Sequence, residues 1–335
     1  VFAKGLLAAA VVASTVMAQA TVVIDTVTVG NPGNAGEAAG GAVGDARVSG
    51  AVGYNYRIGK YEVMAGQYTE FLNAVATTDP HGLYNANMAS TSEGCQIQQS
   101  GSDGSYTYSV SSLFANRPVN YVSFWDATRF ANWLHNGQGN GSTETGAYTL
   151  TSGGIATNTV ARNAGASWAV TNEDEWYKAA YYDASTATYW DYPTKSNTVP
   201  GNNLTDASGN NGNFKDGVAS YPIDSDKYTT VAGQFQNSAS PYGTYDQGGN
   251  VWEWTESIMH VYNQPTNLAN RNLEGGTWAY DSSYAQAAYR IDAGADYESS
   301  SIGFRMTNAV PEPGALALLT TGLFGLLAYA WRKRR

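Results

Sequence analysis

Cysteine and histidine are nearly absent from this 335-residue chain: Cys95 stands alone, and His81, His135 and His260 are widely separated. A lone cysteine excludes an internal disulfide, so an exported fold of this sequence must rest on its core and on any bound metal. The histidines fall in no His-x-x-x-His grouping, which argues against a three-histidine iron site, and each reads as a loop or surface residue. Charge is scarce too, at 14% of residues, with 18 Lys and Arg against 28 Asp and Glu. There is no basic stripe, so nucleic acid is not the expected partner. Also missing are a Gly-x-Ser-x-Gly elbow, a Walker loop, a His-Glu-x-x-His pair and any repeat of fixed period.

The two ends carry targeting patterns. Lys4, an apolar run from Gly5 to Met17 and then Ala18-Gln19-Ala20 follow the order of a secretory signal, so residues 1–20 are expected to be removed. At the other end Val310-Pro311-Glu312-Pro313 precedes an apolar segment from Gly314 to Trp331, which as a helix would measure ~27 Å and span a bilayer. Arg332, Lys333, Arg334 and Arg335 follow, and the positive-inside rule puts them in the cytoplasm with the body outside. This order, in residues 309–335, resembles the PEP-CTERM sorting signals of exported proteins in exopolysaccharide-producing Gram-negative bacteria. The resemblance implies an exosortase-type processing enzyme as partner and transient anchoring in the inner membrane through the C-terminal helix. The processed protein would then reach the cell surface or extracellular matrix. Setting aside Lys4, Glu312 and the four terminal cations leaves 13 basic and 27 acidic residues, a body near −14 that suits divalent cations.

Within the body, residues 21–49 read as a Val-rich strand, Thr21 to Val29, and a Gly/Ala/Asn stretch from Gly30 to Gly44 whose composition predicts a mobile connector. A strand is expected at Tyr54 to Tyr61. Tyr68, Phe71, Leu72 and Val75, at i, i+3, i+4 and i+7, predict a helix ending before Asp79-Pro80. A second helix begins at Ser123, boxed by Asp126, and runs to Asn136-Gly137. A third begins at Thr171, with Asp174 three residues on, and stops near Asp183. Its acids Glu173, Asp174 and Glu175 complement the helix dipole. The rest is loops and short strands rich in Asn, Gly, Ser, Thr and Tyr, around an aromatic core.

The most informative stretch is Gly248-Gly249-Asn250-Val251-Trp252-Glu253-Trp254, a Gly-Gly turn feeding a strand. Period 2 sets Trp252 and Trp254 on one face, read as core, and Val251 and Glu253 on the other. Asn250, the Val251 carbonyl and Glu253 are hard donors suited to calcium. Equally, Glu253 could accept hydrogen bonds from a turn.

That stretch joins an ordered set: Tyr56-Arg57-Ile58-Gly59-Lys60-Tyr61-Glu62-Val63, Arg117-Pro118-Val119 with Ser123-Phe124-Trp125-Asp126, Thr171-Asn172-Glu173-Asp174-Glu175-Trp176, Gly275-Gly276-Thr277-Trp278 and Ile302-Gly303-Phe304-Arg305. Over residues 50–308 the set resembles the formylglycine-generating enzyme, or sulfatase-modifying factor, domain. The resemblance implies a single α+β domain of low regular secondary structure, an elaborated C-type-lectin-like fold with structural calcium. Its calcium ligands map onto Asn250, Val251 and Glu253, with a second site on Asn203 and Leu204.

The chain departs from the family where it matters for chemistry. Oxygen-using members bind copper(I) through two cysteines shortly after the Gly-Gly-Ser motif, whereas here Tyr280 and Ala285 stand in those positions. No copper is therefore expected. Cys95, in a polar Gly- and Ser-rich loop, reads as an incidental thiol. The resulting expectation is a non-catalytic binding or structural module of the extracellular polysaccharide matrix, with Trp278, Tyr280, Tyr284 and Arg305 lining its ligand surface. The alternative is a metal-dependent oxidase acting on exported proteins through an unrecognised site.

Overall fold

A computed structural model describes residues 21–38, 47–215, 223–224, 226–259 and 270–309. Its first half runs β1 (Thr26–Val29), β2 (Glu37–Ala38), β3 (Val48–Ser49), β4 (Tyr56–Gly59), α1 (Ala65–Val75), β5 (Ile97–Ser100), β6 (Thr107–Val110), α2 (Phe124–His135) and α3 (Ser152–Ala156). The second half runs β7 (Trp168–Val170), α4 (Glu173–Tyr181), β8 (Tyr182–Asp183), β9 (Thr188–Tyr189), β10 (Trp252–Met259), β11 (Asn270–Glu274), β12 (Ile291–Ala293), β13 (Ile302–Phe304) and β14 (Met306–Ala309).

Two four-stranded sheets make the frame. One is antiparallel in the order β1-β4-β14-β7, with Val29 opposite Tyr56, Thr307 opposite Ile58 and Met306 opposite Val170. The other has the order β12-β11-β10-β13, in which β10 runs parallel to β13 and antiparallel to β11, with a bulge between Trp254 and Ile258. Trp252, Glu253, Trp254 and Thr255 are all buried, as befits an interior strand covered on both faces. Arg305 is the single residue between β13 and β14, so the chain passes from one sheet to the other there.

The helices pack an aromatic core between these sheets. α1 buries Tyr68, Phe71 and Leu72, the face its spacing predicts. α2 is buried from Phe124 to Leu134. Ser123 caps it: its Oγ accepts from the Asp126 amide at 3.2 Å and donates to the Asp126 carboxylate at 2.7 Å. Burial drives the Asp126 carboxyl up to about 7 against the pull of Ser123. Phe130 is the hub ring, with centroids at 5.4 Å from Phe71, 5.5 Å from Phe304 and 5.6 Å from Trp133.

Several expectations need correction. The third helix starts one residue later, because Asn172 rather than Thr171 caps it and the box closes with Glu175. Asp174 is turned instead to the Gly50 amide at 2.8 Å, and Glu173 to the Ser49 hydroxyl at 2.9 Å. Together they tie the segment before β4 to the helix. Within the described part of the connector, Asn34 donates to the Gly50 carbonyl at 2.7 Å, so this stretch is fastened to the body. Cys95 is buried in the main core just before β5, and burial pushes its thiol up to about 11. His81 faces Glu144, His135 lies beside Ser167, and His260 is outside the described residues. The segments expected to be a signal peptide and a C-terminal transmembrane helix also lie outside them, and among the described residues no helix is long and apolar enough to cross a membrane.

Phe130→Ala should destabilise the fold by about 3–5 kcal/mol, as removal of a packed buried ring does. Denaturant unfolding checks this, and a loss below about 1 kcal/mol would show that the ring cluster is not the organising core.

Candidate functional site

The Gly-Gly turn before β10 is dictated by close backbone approach. Gly249 has φ +90°, and a Cβ there would lie 2.5 Å from the Asn213 carbonyl oxygen. This turn delivers Asn250 and Glu253 into the buried interior, where Arg305 meets Glu253. The Arg305 Nη2 and Nε atoms donate to Glu253 Oε1 and Oε2 at 2.7 and 2.9 Å, with both side chains fully buried. The same guanidinium donates to the carbonyls of Gly59 and Tyr245, each at 2.8 Å. Trp176 Nε1 adds a bond to Glu253 Oε2 at 2.7 Å.

Two further carboxylates crowd this ion pair. Glu62 Oε1 accepts from Asn250 Nδ2 at 3.2 Å, while Glu62 Oε2 lies 4.0 Å from Arg305 and has no hydrogen-bond partner among the described residues. Burial, then the nearby Asp246, pushes the Glu62 carboxyl well above the usual range. Asp246 accepts from the Gly233 amide at 2.5 Å and borders a small polar pocket with Thr194, Ser238 and Gln247. Burial raises its carboxyl to about 6, against the Gly233 hydrogen bond and the Arg305 charge.

This geometry does not fit the calcium ligation expected of Asn250, Val251 and Glu253. Both Glu253 oxygens are held by a guanidinium, which a divalent cation would have to displace. Asn250 Oδ1 is already taken by the Thr230 amide at 2.9 Å and Asn213 Nδ2 at 3.1 Å. Asn203 and Leu204 lie on a separate turn, where Asn203 Oδ1 accepts from Thr205 instead. Glu253 is thus an acceptor of hydrogen bonds, from an arginine and a tryptophan rather than from its own turn.

Of the four expected ligand-lining residues, the structure brings Tyr280 and Tyr284 into ring contact, while Trp278 and Arg305 are buried. Arg305 is fully buried in the ion pair and lines no surface, because its charge is needed where the sheets meet. Trp278 is 8% exposed, packed on Tyr228 at 4.7 Å with its Nε1 toward the Ser300 carbonyl. Tyr280 is 43% exposed and stacks on Tyr284 at 4.7 Å with 28° between the planes. Tyr284 meets Tyr289 at 4.5 Å, and both lie against Trp252. Ala285 is buried, its carbonyl accepting from the Tyr181 hydroxyl at 3.1 Å. Sequence reasoning missed Tyr228 and Tyr289 here, and Glu62 and Asp246 at the ion pair. Glu62 and Asp246 were visible as acids inside or beside the apolar motif strands.

The profile of the Sulfatase-modifying factor enzyme 1-like domain matches residues 13–310. The chain belongs to this family. A PEP-CTERM protein-sorting motif matches residues 309–335, the sorting signal of an exported protein and a mark of processing by an exosortase-type system. Among solved structures, this sulfatase-modifying-factor-like chain is similar to CarF, at 21% identity and TM-score 0.52 over 86% of this chain and 99% of that one. Treponema denticola variable protein 1 aligns at 17% identity and TM-score 0.48, covering 86% of this chain and 98% of that one. PvdO from Pseudomonas aeruginosa aligns at 14% and 0.46, covering 85% and 92%. No curated protein matches. The likeness to CarF supports the α+β fold of the family and nothing beyond it.

The raised carboxyls give a signed pH dependence. Asp246 holds its proton up to about 6 in the folded state, whereas the unfolded group releases it near 3.8. Between these values the native state binds more protons, so its stability falls as pH rises through that window. Asp246→Asn, which cannot ionise, should make the fall between pH 4 and 6 shallower in denaturant midpoints. A variant falling as steeply as the parent protein would contradict the assignment.

Proposed function

We propose that this chain is an exported, non-catalytic recognition module that holds polysaccharide of the extracellular matrix on its tyrosine cluster. The observation that carries this reading is the Tyr280, Tyr284 and Tyr289 stack over Trp252, with Tyr280 open to solvent. It occupies the place where oxygen-using relatives are expected to hold copper on two thiolates. Tyrosine rings offer sugars a rigid apolar face and a hydroxyl at the rim. Tyr280 and Ala285 supply no soft sulfur ligand there. On this reading the C-terminal segment anchors the protein until processing releases it to the surface.

The test is binding of the mature body to a panel of bacterial exopolysaccharides by affinity electrophoresis. Tyr280→Ala should weaken retention about tenfold, equivalent to ~1.4 kcal/mol, with an unchanged melting temperature. Absence of binding across the panel, or a Tyr280→Ala variant that binds as tightly as the parent, would overturn the proposal. Incubation with a Cys-x-Pro-x-Arg peptide, copper, oxygen and reductant is expected to yield no aldehyde; turnover would restore the oxidase alternative.

A further inference from the structure

The folded domain and the sorting motif meet without a spacer: the family match ends at residue 310 and the PEP-CTERM match begins at 309. The last strand is not a loose edge. β14 lies inside its sheet, with Ala309 opposite Tyr56, and Asn308 opposite both Arg57 and Trp168. Met306 and Thr307 are buried. The chain is therefore held in the sheet to residue 309, and Pro313 follows within four peptide steps. Even fully extended, those steps reach only ~14 Å. Any enzyme that cuts beside the Pro-Glu-Pro motif must work against the end of this sheet.

Next to that end, register aligns a cross-strand row of Thr28, Arg57 and Asn308. Thr28 and Arg57 are exposed and Asn308 is half-buried. Arg57 makes no ion pair among the described residues, a free cation on a body that is otherwise acidic. We propose that this row is the docking surface for the processing enzyme, which seats the folded domain against an acidic patch on its extracytoplasmic face. Arg57 supplies charge complementarity, which acts chiefly on encounter and orientation. The short reach of the chain makes the contact obligatory.

The experiment follows precursor processing of the full chain in a host with the matching enzyme, by mass spectrometry over time. Arg57→Glu and, separately, Thr28→Glu should slow processing several-fold. A Gly/Ser spacer of about ten residues between Ala309 and Val310, spanning ~18 Å on average, should relieve the contact and abolish the slowing. Melting temperatures of the variants separate docking from misfolding. Unchanged processing in both variants without the spacer would overturn the proposal, as would equal slowing with it. Loss of binding to anionic vesicles with processing unchanged would assign the row to lipid and overturn it as well.

Discussion

The buried ion pair of Glu253 and Arg305 sits at the single residue that joins β13 of one sheet to β14 of the other, and the rest of the structure is arranged around it. Arg305 binds Glu253 of β10 in one sheet and the Gly59 carbonyl of β4 in the other. A buried pair of this kind adds little over an apolar replacement of the same shape, but breaking it leaves an uncompensated charge. Here Arg305 also faces Glu62 and Asp246; its charge pulls their carboxyls down, but burial outweighs it and favours their neutral forms. The ion pair therefore sets the alignment of the sheets, while burial sets the protonation of the acids beside it.

This view explains why widely separated motifs occur together in one sequence. Gly59 and Glu62, Trp176, Asn250 and Glu253, and Arg305 come from four of them and meet within one set of hydrogen bonds. Gly275, from a fifth, accepts the Gly249 amide at 2.9 Å and steadies the turn that precedes β10. Val119 donates its amide to Val63 at 2.9 Å, linking a sixth. The motifs are thus the fold's internal contact set. The part that distinguishes this chain chemically lies outside them, on the loop from Ala279 to Tyr289.

Much of the fold was legible because local physics decides it. The spacing of Tyr68, Phe71 and Leu72 placed α1, and the Ser123 box placed the start of α2. The third helix was misplaced by a residue because Thr171, Asn172 and the three acids after them offer competing caps, and only tertiary contact with Gly50 draws Asp174 away. For Glu253 the sequence leaves calcium ligation and hydrogen bonding to a turn equally open, because nothing local reveals an arginine 52 residues downstream on the same carboxylate. Arg305 was assigned to the surface for the same reason. Cys95 looked loop-bound among polar neighbours, yet Ile97 and Met88 carry its segment into the core.

The most direct test of the account is a double-mutant cycle on the ion pair, using Glu253→Gln, Arg305→Met and both together, with unfolding free energies measured at neutral pH. The account expects each single change to cost about 3–5 kcal/mol, and the double change clearly less than their sum, with a coupling of ~2 kcal/mol or more. Additive losses would mean that the two groups do not depend on each other, and would contradict the account.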